Sequence, residues 1–246
     1  SINNGLAADN LNRVRGVLNG TCNFLLTKMG ASDASFDEVL ADAQERGFAE
    51  ADPSADLDGF DAQAKLSILS AVGLSRPINP HEIVCRSIRG VSRADFEAAA
   101  LLGCGIRQVS TVELTEDRNA VRAEVRPAMV NLGSRVAQVS GNENVVVVDG
   151  RYCGEVTLIG QGAGGDPTAV AIVSDLLAIA SGDRAPNLFP SVGASCQVEA
   201  MGKRSHYVRV AGPQSVAGIL SDLGVVPARI LEDRDGNIWF GTGGGA

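Results

Sequence analysis

Apolar positions recur at helical spacing up to about residue 101 and alternate with polar ones from about residue 106, so the pattern changes part-way along the chain. Leu11 to Leu18 fits a short strand or the end of a helix. Asn19-Gly20 then makes a turn, and Thr21 stands where it can cap a helix through Lys28, with Gly30 at its C′ position. Ser35-Phe-Asp-Glu38 has capping-box spacing and begins a helix to Arg46 that buries Phe36, Val39, Leu40 and Ala43 and ends at Gly47. Another helix spans about Asp61 to Val72, closed off by Pro77 and Pro80, and a short one spans Arg93 to Leu101. Val109, Thr111 and Glu113 then alternate into a turn at 116–119 and return as Val121, Ala123 and Val125, a hairpin. A second strand pair, around 145–148 and 154–159, flanks Asp149-Gly150, and an apolar helix follows from Pro167 to Ala180. These elements predict an α+β fold: a largely antiparallel sheet with helices packed on one face. Residues 182–205 read as a linker between a domain of 1–181 and a small βαββ segment of 206–246. In that segment the strands are Tyr207 to Val210, Ala228 to Leu231 and Ile238 to Phe240, with a helix from Gln214 to Leu223.

Composition narrows the function classes. The apolar share of 45 % and the charged share of 20 % are ordinary for a globular protein. A formal charge of −8 argues against nucleic acid or an anionic membrane as partner. The five cysteines (Cys22, Cys85, Cys104, Cys153, Cys196) are scattered and odd in number, which suits reduced thiols rather than a disulfide framework. His81 and His206 stand too far apart in sequence for a histidine metal cluster, so no metal is expected. Ser1 to Asn10 is polar without the basic start of a secretion signal. Thr168 to Ala180, interrupted by Ser174 and Asp175, falls short of a membrane span, so a cytoplasmic protein is expected.

The chemistry concentrates in residues 43–65, AQERGFAEADPSADLDGFDAQAK. Glu45, Glu50, Asp52, Asp56, Asp58 and Asp61 are spaced among Gly47, Pro53 and Gly59, which puts most of these carboxylates on turns between two helices. Dispersed surface acids would be the ordinary reading of such a run. Two features point elsewhere: the intervals are ordered around turn residues, and a single lysine, Lys65, enters on a helix of small and apolar neighbours. Asp61 and Lys65 lie four apart, on one helix face, where a carboxylate can tune the lysine for proton transfer. A calcium loop is excluded, because Lys65 would occupy the twelfth position, which needs a bidentate glutamate.

The same stretch resembles the signature of homoserine dehydrogenases. Ala43, Gly47, Phe48, Ala49, Glu50, Asp52-Pro53, Asp56-Leu57, Gly59, Asp61 and Lys65 all stand at its fixed positions. The Asn19-Gly-Thr21 turn and the helix after it also resemble that family, where they lie near the substrate pocket. The resemblance covers roughly residues 11–180 and implies the substrate-binding and dimerisation domain. It implies NAD(P)-dependent interconversion of L-homoserine and L-aspartate 4-semialdehyde in threonine and methionine biosynthesis. Lys65 and Asp61 would then be catalytic, Glu50, Asp56, Gly47 and Thr21 substrate-binding, and the assembly a homodimer.

Gly160-Gln-Gly162-Ala163-Gly164-Gly165 reads as GxGxxG between a strand and a helix. A dinucleotide unit needs a second parallel strand ending in an acid about 20 residues on. Here Asp183 is followed by Ala-Pro-Asn-Leu-Phe-Pro. The resemblance explains the glycines differently, as the segment that returns toward the cofactor domain near the nicotinamide, with Gly162, Ala163 and Gly164 as cofactor contacts. In the family the main cofactor loop belongs to a Rossmann domain, which no part of residues 1–246 matches. This chain by itself is therefore expected to bind NAD(P) weakly. The βαββ tail resembles half of an ACT amino-acid-sensing domain. The alternative to an enzyme is a non-catalytic dimerisation or amino-acid-sensing relative, and a second rival is a nucleotide-binding protein using the glycine loop alone.

Overall fold

A computed structural model describes residues 2–182, 195–202, 206–210, 227–232 and 238–242. Strand β1 (Leu11–Val17) lies at the centre of the main sheet, between β3 (Cys104–Leu114) and β5 (Glu143–Gly150), antiparallel to both. Beyond β3 lies β4 (Val121–Asn131), and beyond β5 lies β6 (Gly154–Gln161), each joined to its neighbour by an antiparallel hairpin. Two short strands that the alternation does not reveal, β2 (Val84–Cys85) and β7 (Val198–Glu199), pair with β4 in parallel. The sheet is therefore mixed, with the path β2-β4-β3-β1-β5-β6 and β7 added on β4: its long strands are antiparallel and its two short ones parallel. Two-residue strands carry no readable period, which is why they escape sequence reading. β7 lies within the expected linker and is tied down further by the Cys196 N–H donating to the Pro77 carbonyl at 2.7 Å.

One face of the sheet is covered by helices α2 (Gly20–Ala31), α5 (Phe60–Leu74) and α6 (Arg93–Leu101). Val14, Val112, Ala123 and Val125 point to this face and bury against Ala62 and Leu66 of α5. A second cluster joins Cys22, Leu25 and Leu26 of α2 to Val39 and Ala43 of α3 (Phe36–Glu45), Leu57 of α4 (Ser54–Leu57), and Ile106. The other face is a lattice of charge, with Arg13 paired to Asp149 and Arg15 to Glu155, beside a small patch of Val17, Val139, Val145 and Val147.

Local chemistry sets the ends of these elements. Ser35 and Glu38 form the expected capping box, and α6 spans the expected residues. Helix α2, however, is capped by Asn19 rather than Thr21: the Asn19 Oδ1 accepts from the Cys22 N–H at 2.8 Å, and Gly30 lies inside the helix. Helix α5 runs two residues past Val72 and ends at Ser75, which is left-handed at φ 54°. The β5–β6 turn falls at 151–153, just after the Asp-Gly pair. Helix α7 (Gly165–Ala180) has no buried side chain. At the C-terminal end β8 (Tyr207–Val210), β9 (Pro227–Glu232) and β10 (Ile238–Thr242) form a three-stranded sheet in the order β8-β10-β9. The helix expected at 214–223 lies outside the described residues. α1 (Ile2–Gly5) completes the elements and packs against α5.

Candidate active site

The C-terminal end of β1 runs straight into the N-terminus of α2, and the turn between α4 and α5 meets it there. That turn needs Gly59, left-handed at φ 89°, and a Cβ at that position would stand 3.3 Å from Val125 Cγ1. Gly59 therefore seats the turn against β4 and fixes where α5 begins. Asp52 shapes the preceding segment by accepting from the Ser54 N–H at 3.1 Å and hydroxyl at 2.6 Å, bonds that lower its pKa.

Asn19 is the hub. It is 4 % exposed, and while its oxygen caps α2 its Nδ2 donates to Asp56 Oδ1 at 2.6 Å and to Asp61 Oδ2 at 2.8 Å. Lys65 lies one helical turn beyond Asp61, and its Nζ stands 2.8 Å from Asp61 Oδ2. The same Nζ donates to the Leu18 carbonyl at 3.1 Å, at the end of β1. Asn144 Nδ2, on β5, donates to that carbonyl too, at 3.2 Å. One ammonium and two carboxylates are thus held in a single network. The lysine side chain is still 45 % exposed.

The main chain behind Asp56 is held from the core. Its carbonyl accepts from Gln108 Nε2 at 3.3 Å and from the Cys22 thiol at 3.2 Å. Burial, reinforced by the Asp56 charge, pushes the Cys22 thiol well up, so it stays a neutral donor. Asp58 turns away from this network, accepting from the Ser87 hydroxyl at 2.7 Å and Arg89 Nε at 3.2 Å. Among the described residues no three His, Cys, Asp or Glu side chains converge on a cation position.

The structure thus brings together Asp56, Asp61 and Lys65. Thr21 stands beside them at the start of α2, where its hydroxyl donates to the Phe48 carbonyl at 2.8 Å. This bond ties segment 47–50 to the same helix end, helped by the Phe24 and Phe48 rings, 4.9 Å apart between centroids. Gly47 ends α3 at φ 74°, with nothing near its Cβ direction. The Glu50 carbonyl accepts from Gln44 Nε2 at 3.0 Å, while its exposed carboxylate has no partner among the described residues. Gly162 reaches the network from the other side: a Cβ there would stand 2.3 Å from Asn144 Nδ2. Ala163 is exposed, and Gly164 leads into α7 at φ 122°. The sequence names Asn19 only within a turn and gives it no role of its own, and it does not point to Gln108 or Asn144. For Asn19 the signal was present, an N-cap residue before Gly-Thr; for Gln108 and Asn144, far away in the chain, there was none.

The chain is similar to known proteins in sequence and in fold. The family profile for homoserine dehydrogenase matches residues 1–177, and a profile for two component regulator propeller matches residues 220–244. A homoserine dehydrogenase from Synechocystis sp. is 38 % identical over 203 residues, covering 78 % of this chain and 47 % of that protein. One from Mycobacterium tuberculosis is 42 % identical over 175 residues, covering 70 % of this chain and 40 % of that protein. The chain therefore spans less than half the length of these relatives. The crystal structure of a homoserine dehydrogenase from Thiobacillus denitrificans superimposes with a TM-score of 0.85 at 31 % identity, over 98 % of this chain and 59 % of that one. A hyperthermophilic archaeal homoserine dehydrogenase mutant in complex with NADPH superimposes with a TM-score of 0.60 at 28 % identity, over 77 % of this chain and 51 % of that one.

Proposed function

The chain belongs to the homoserine dehydrogenase family, and on that premise we propose that residues 18–65 form the substrate side of a site interconverting L-homoserine and L-aspartate 4-semialdehyde. The observation that carries this reading is the Lys65–Asp61–Asn19–Asp56 network, with its partly exposed lysine. Oxidising the alcohol removes a hydride from carbon and a proton from the hydroxyl. The cofactor, NAD(P), takes the hydride, and the protein must manage the proton. Lys65, with its stem on α5 and its Nζ beside Asp61 and the Leu18 carbonyl, takes that proton in its neutral amine form, becoming the ammonium, and as the ammonium returns it to the carbonyl oxygen in the reverse direction. Asp61 holds the ammonium in place. Asp56 and the unpartnered carboxylate of Glu50 suit the substrate's ammonium group, and Gly47 and Thr21 shape the backbone around it.

The glycine loop does not fit a phosphate cradle by itself. β6, which precedes it, pairs antiparallel to β5, and Asp166 stands in the first turn of α7, where it would repel a pyrophosphate. Gly162, Ala163 and Gly164 fit instead as backbone beside the nicotinamide end of a cofactor held mainly by another domain. The exposed apolar side chains of α7 (Val170, Val173, Leu176, Leu177) suit a covering surface in the whole protein.

Three further readings rest on the family. A cytoplasmic location agrees with there being no helix among the described residues long and apolar enough to cross a membrane. A homodimer would use the main sheet, whose charged face offers both signs for pairing. The ACT-like reading of the tail is supported by strand order: β10 runs antiparallel between β8 and β9, so those two are parallel, as a split βαβ unit requires.

The test is Lys65→Ala in the whole enzyme carrying its cofactor domain. kcat should fall about 10²–10⁴-fold with cofactor affinity unchanged. A kcat within a few-fold of the parent would make Lys65 a solvated surface lysine.

A further inference from the structure

A cavity of about 730 Å³ opens on the other side of the Gly59 turn, at the edge of β4 beyond the end of β2. Its walls are the segment 86–91 after β2, the start of α6, and His206-Tyr207 leading into β8. Val91, Leu102, Ile106, Pro127 and Met129 make much of it apolar, and Arg86, Arg126 and Asp95 are the charged residues lining it. The volume lies in the range of small-molecule sites, which combine apolar walls with a few polar groups.

The charges are not equally available. Asp95 is 7 % exposed and fully engaged. Its Oδ2 accepts from the Ser92 N–H at 2.8 Å and hydroxyl at 3.0 Å and faces Arg209 Nη1 at 3.3 Å, while Oδ1 accepts from the Tyr207 hydroxyl at 2.9 Å. Arg126 uses its Nε on Glu124 at 2.9 Å. Arg86 spends only its backbone N–H, on the Val125 carbonyl at 2.9 Å; its guanidinium has no partner among the described residues. Among the described residues, the cavity therefore presents the unpaired guanidinium of Arg86 beside an apolar wall, with Arg126 paired to Glu124 and Asp95 already engaged.

We propose that this cavity binds a small aliphatic carboxylate, its oxygens on Arg86 and its hydrocarbon body against Val91, Leu102 and Met129. Guanidinium groups hold carboxylates in paired, directional hydrogen bonds, and an apolar wall accounts for the rest of such a ligand. The site is separate from the Lys65 network and goes beyond the function proposed above.

The test is titration of the 15N-labelled chain with 4-methylpentanoate, against its neutral isostere 4-methylpentanamide. The acid should saturate with a Kd below about 1 mM and shift the amides of Arg86, Val91 and Met129, with the amide binding at least about tenfold more weakly. Arg86→Gln should weaken acid binding about tenfold or more while leaving the melting temperature unchanged, since that side chain has no partner among the described residues; Arg86→Lys should fall between. No saturation up to about 10 mM, equal binding of acid and amide, or indifference to Arg86→Gln would each overturn the proposal. Neither cofactor nor turnover enters the measurement, so its failure leaves the homoserine reading untouched, and failure of that reading leaves this one standing.

Discussion

Asn19→Ala removes three hydrogen bonds from one buried point: the cap on Cys22 N–H and the two donations to Asp56 and Asp61. Losing an N-cap costs about 1 kcal/mol. Each bond to a carboxylate is worth about 1 kcal/mol here, toward the low end for charged acceptors because both acids are partly exposed. The expected loss is about 3 kcal/mol, equivalent to a melting temperature lower by ~6–12 °C for a chain of this size. Asn19→Ser retains an oxygen for the cap but cannot reach the acids, so it should lose about 2 kcal/mol. Asn19→Asp keeps the cap while setting a third carboxylate against Asp56 and Asp61, and it should be less stable than Asn19→Ser at neutral pH and recover on acidification. Urea unfolding followed by circular dichroism, with m-values compared, measures all three. An Asn19→Ala chain within about 0.5 kcal/mol of the parent would mean that the two carboxylates need no bridging donor, and the hub would be an accident of packing.

Gly162→Ala should cost about 1–2 kcal/mol despite full exposure, because its Cβ would stand 2.3 Å from Asn144 Nδ2, whereas Gly165→Ala, with open space around it, should be near neutral. Equal melting temperatures for the two would rule out close approach at Gly162. The thiol and N–H of Cys153 hold the Asp9 carboxyl at about 2. Its folded pKa is depressed, so its stabilisation is complete above about pH 4 and is lost as pH falls toward 2. Asp9→Asn should therefore flatten the urea midpoint across that window, and curves parallel to the parent's would refute the linkage. In the whole enzyme Glu50→Gln should raise KM for homoserine more than KM for the cofactor, since it removes a charge partner from the substrate ammonium; the reverse order would reassign Glu50.

Much of this was legible in the sequence where a short-range rule applied. The Ser35 capping box, the helix of α6, the β3–β4 hairpin and the Asp61–Lys65 spacing depend on residues within a few positions of one another. What failed to show depends on distance along the chain. β2 and β7 exist because β4 has a free edge, not because two residues carry a pattern. Gln108 reads as one more polar residue on a strand, yet it is buried to hold a carbonyl 52 positions away. Asn144 is likewise placed by the pairing of β5 with β1 and acquires its meaning only there. Thr21 has the chemistry of a cap, but Asn19, two residues earlier, takes that place because its side chain serves the helix and the two acids together.

The Leu18 carbonyl, which receives both Lys65 and Asn144, terminates the strand with neighbours on both sides. Central strands exchange their amide protons only through the largest openings of a protein, whereas edges and helix ends open on their own. The amine proposed to move the proton is thus moored to the most slowly opening part of the molecule, while the glycine loop, whose Gly162 stands against Asn144, is exposed. In an exchange experiment, amides of Val14 to Leu18 should label last and those of 162–180 first. A lysine fixed on the slow side and a pliant segment on the fast side would let one wall of the site rearrange around a ligand without altering where the proton is delivered.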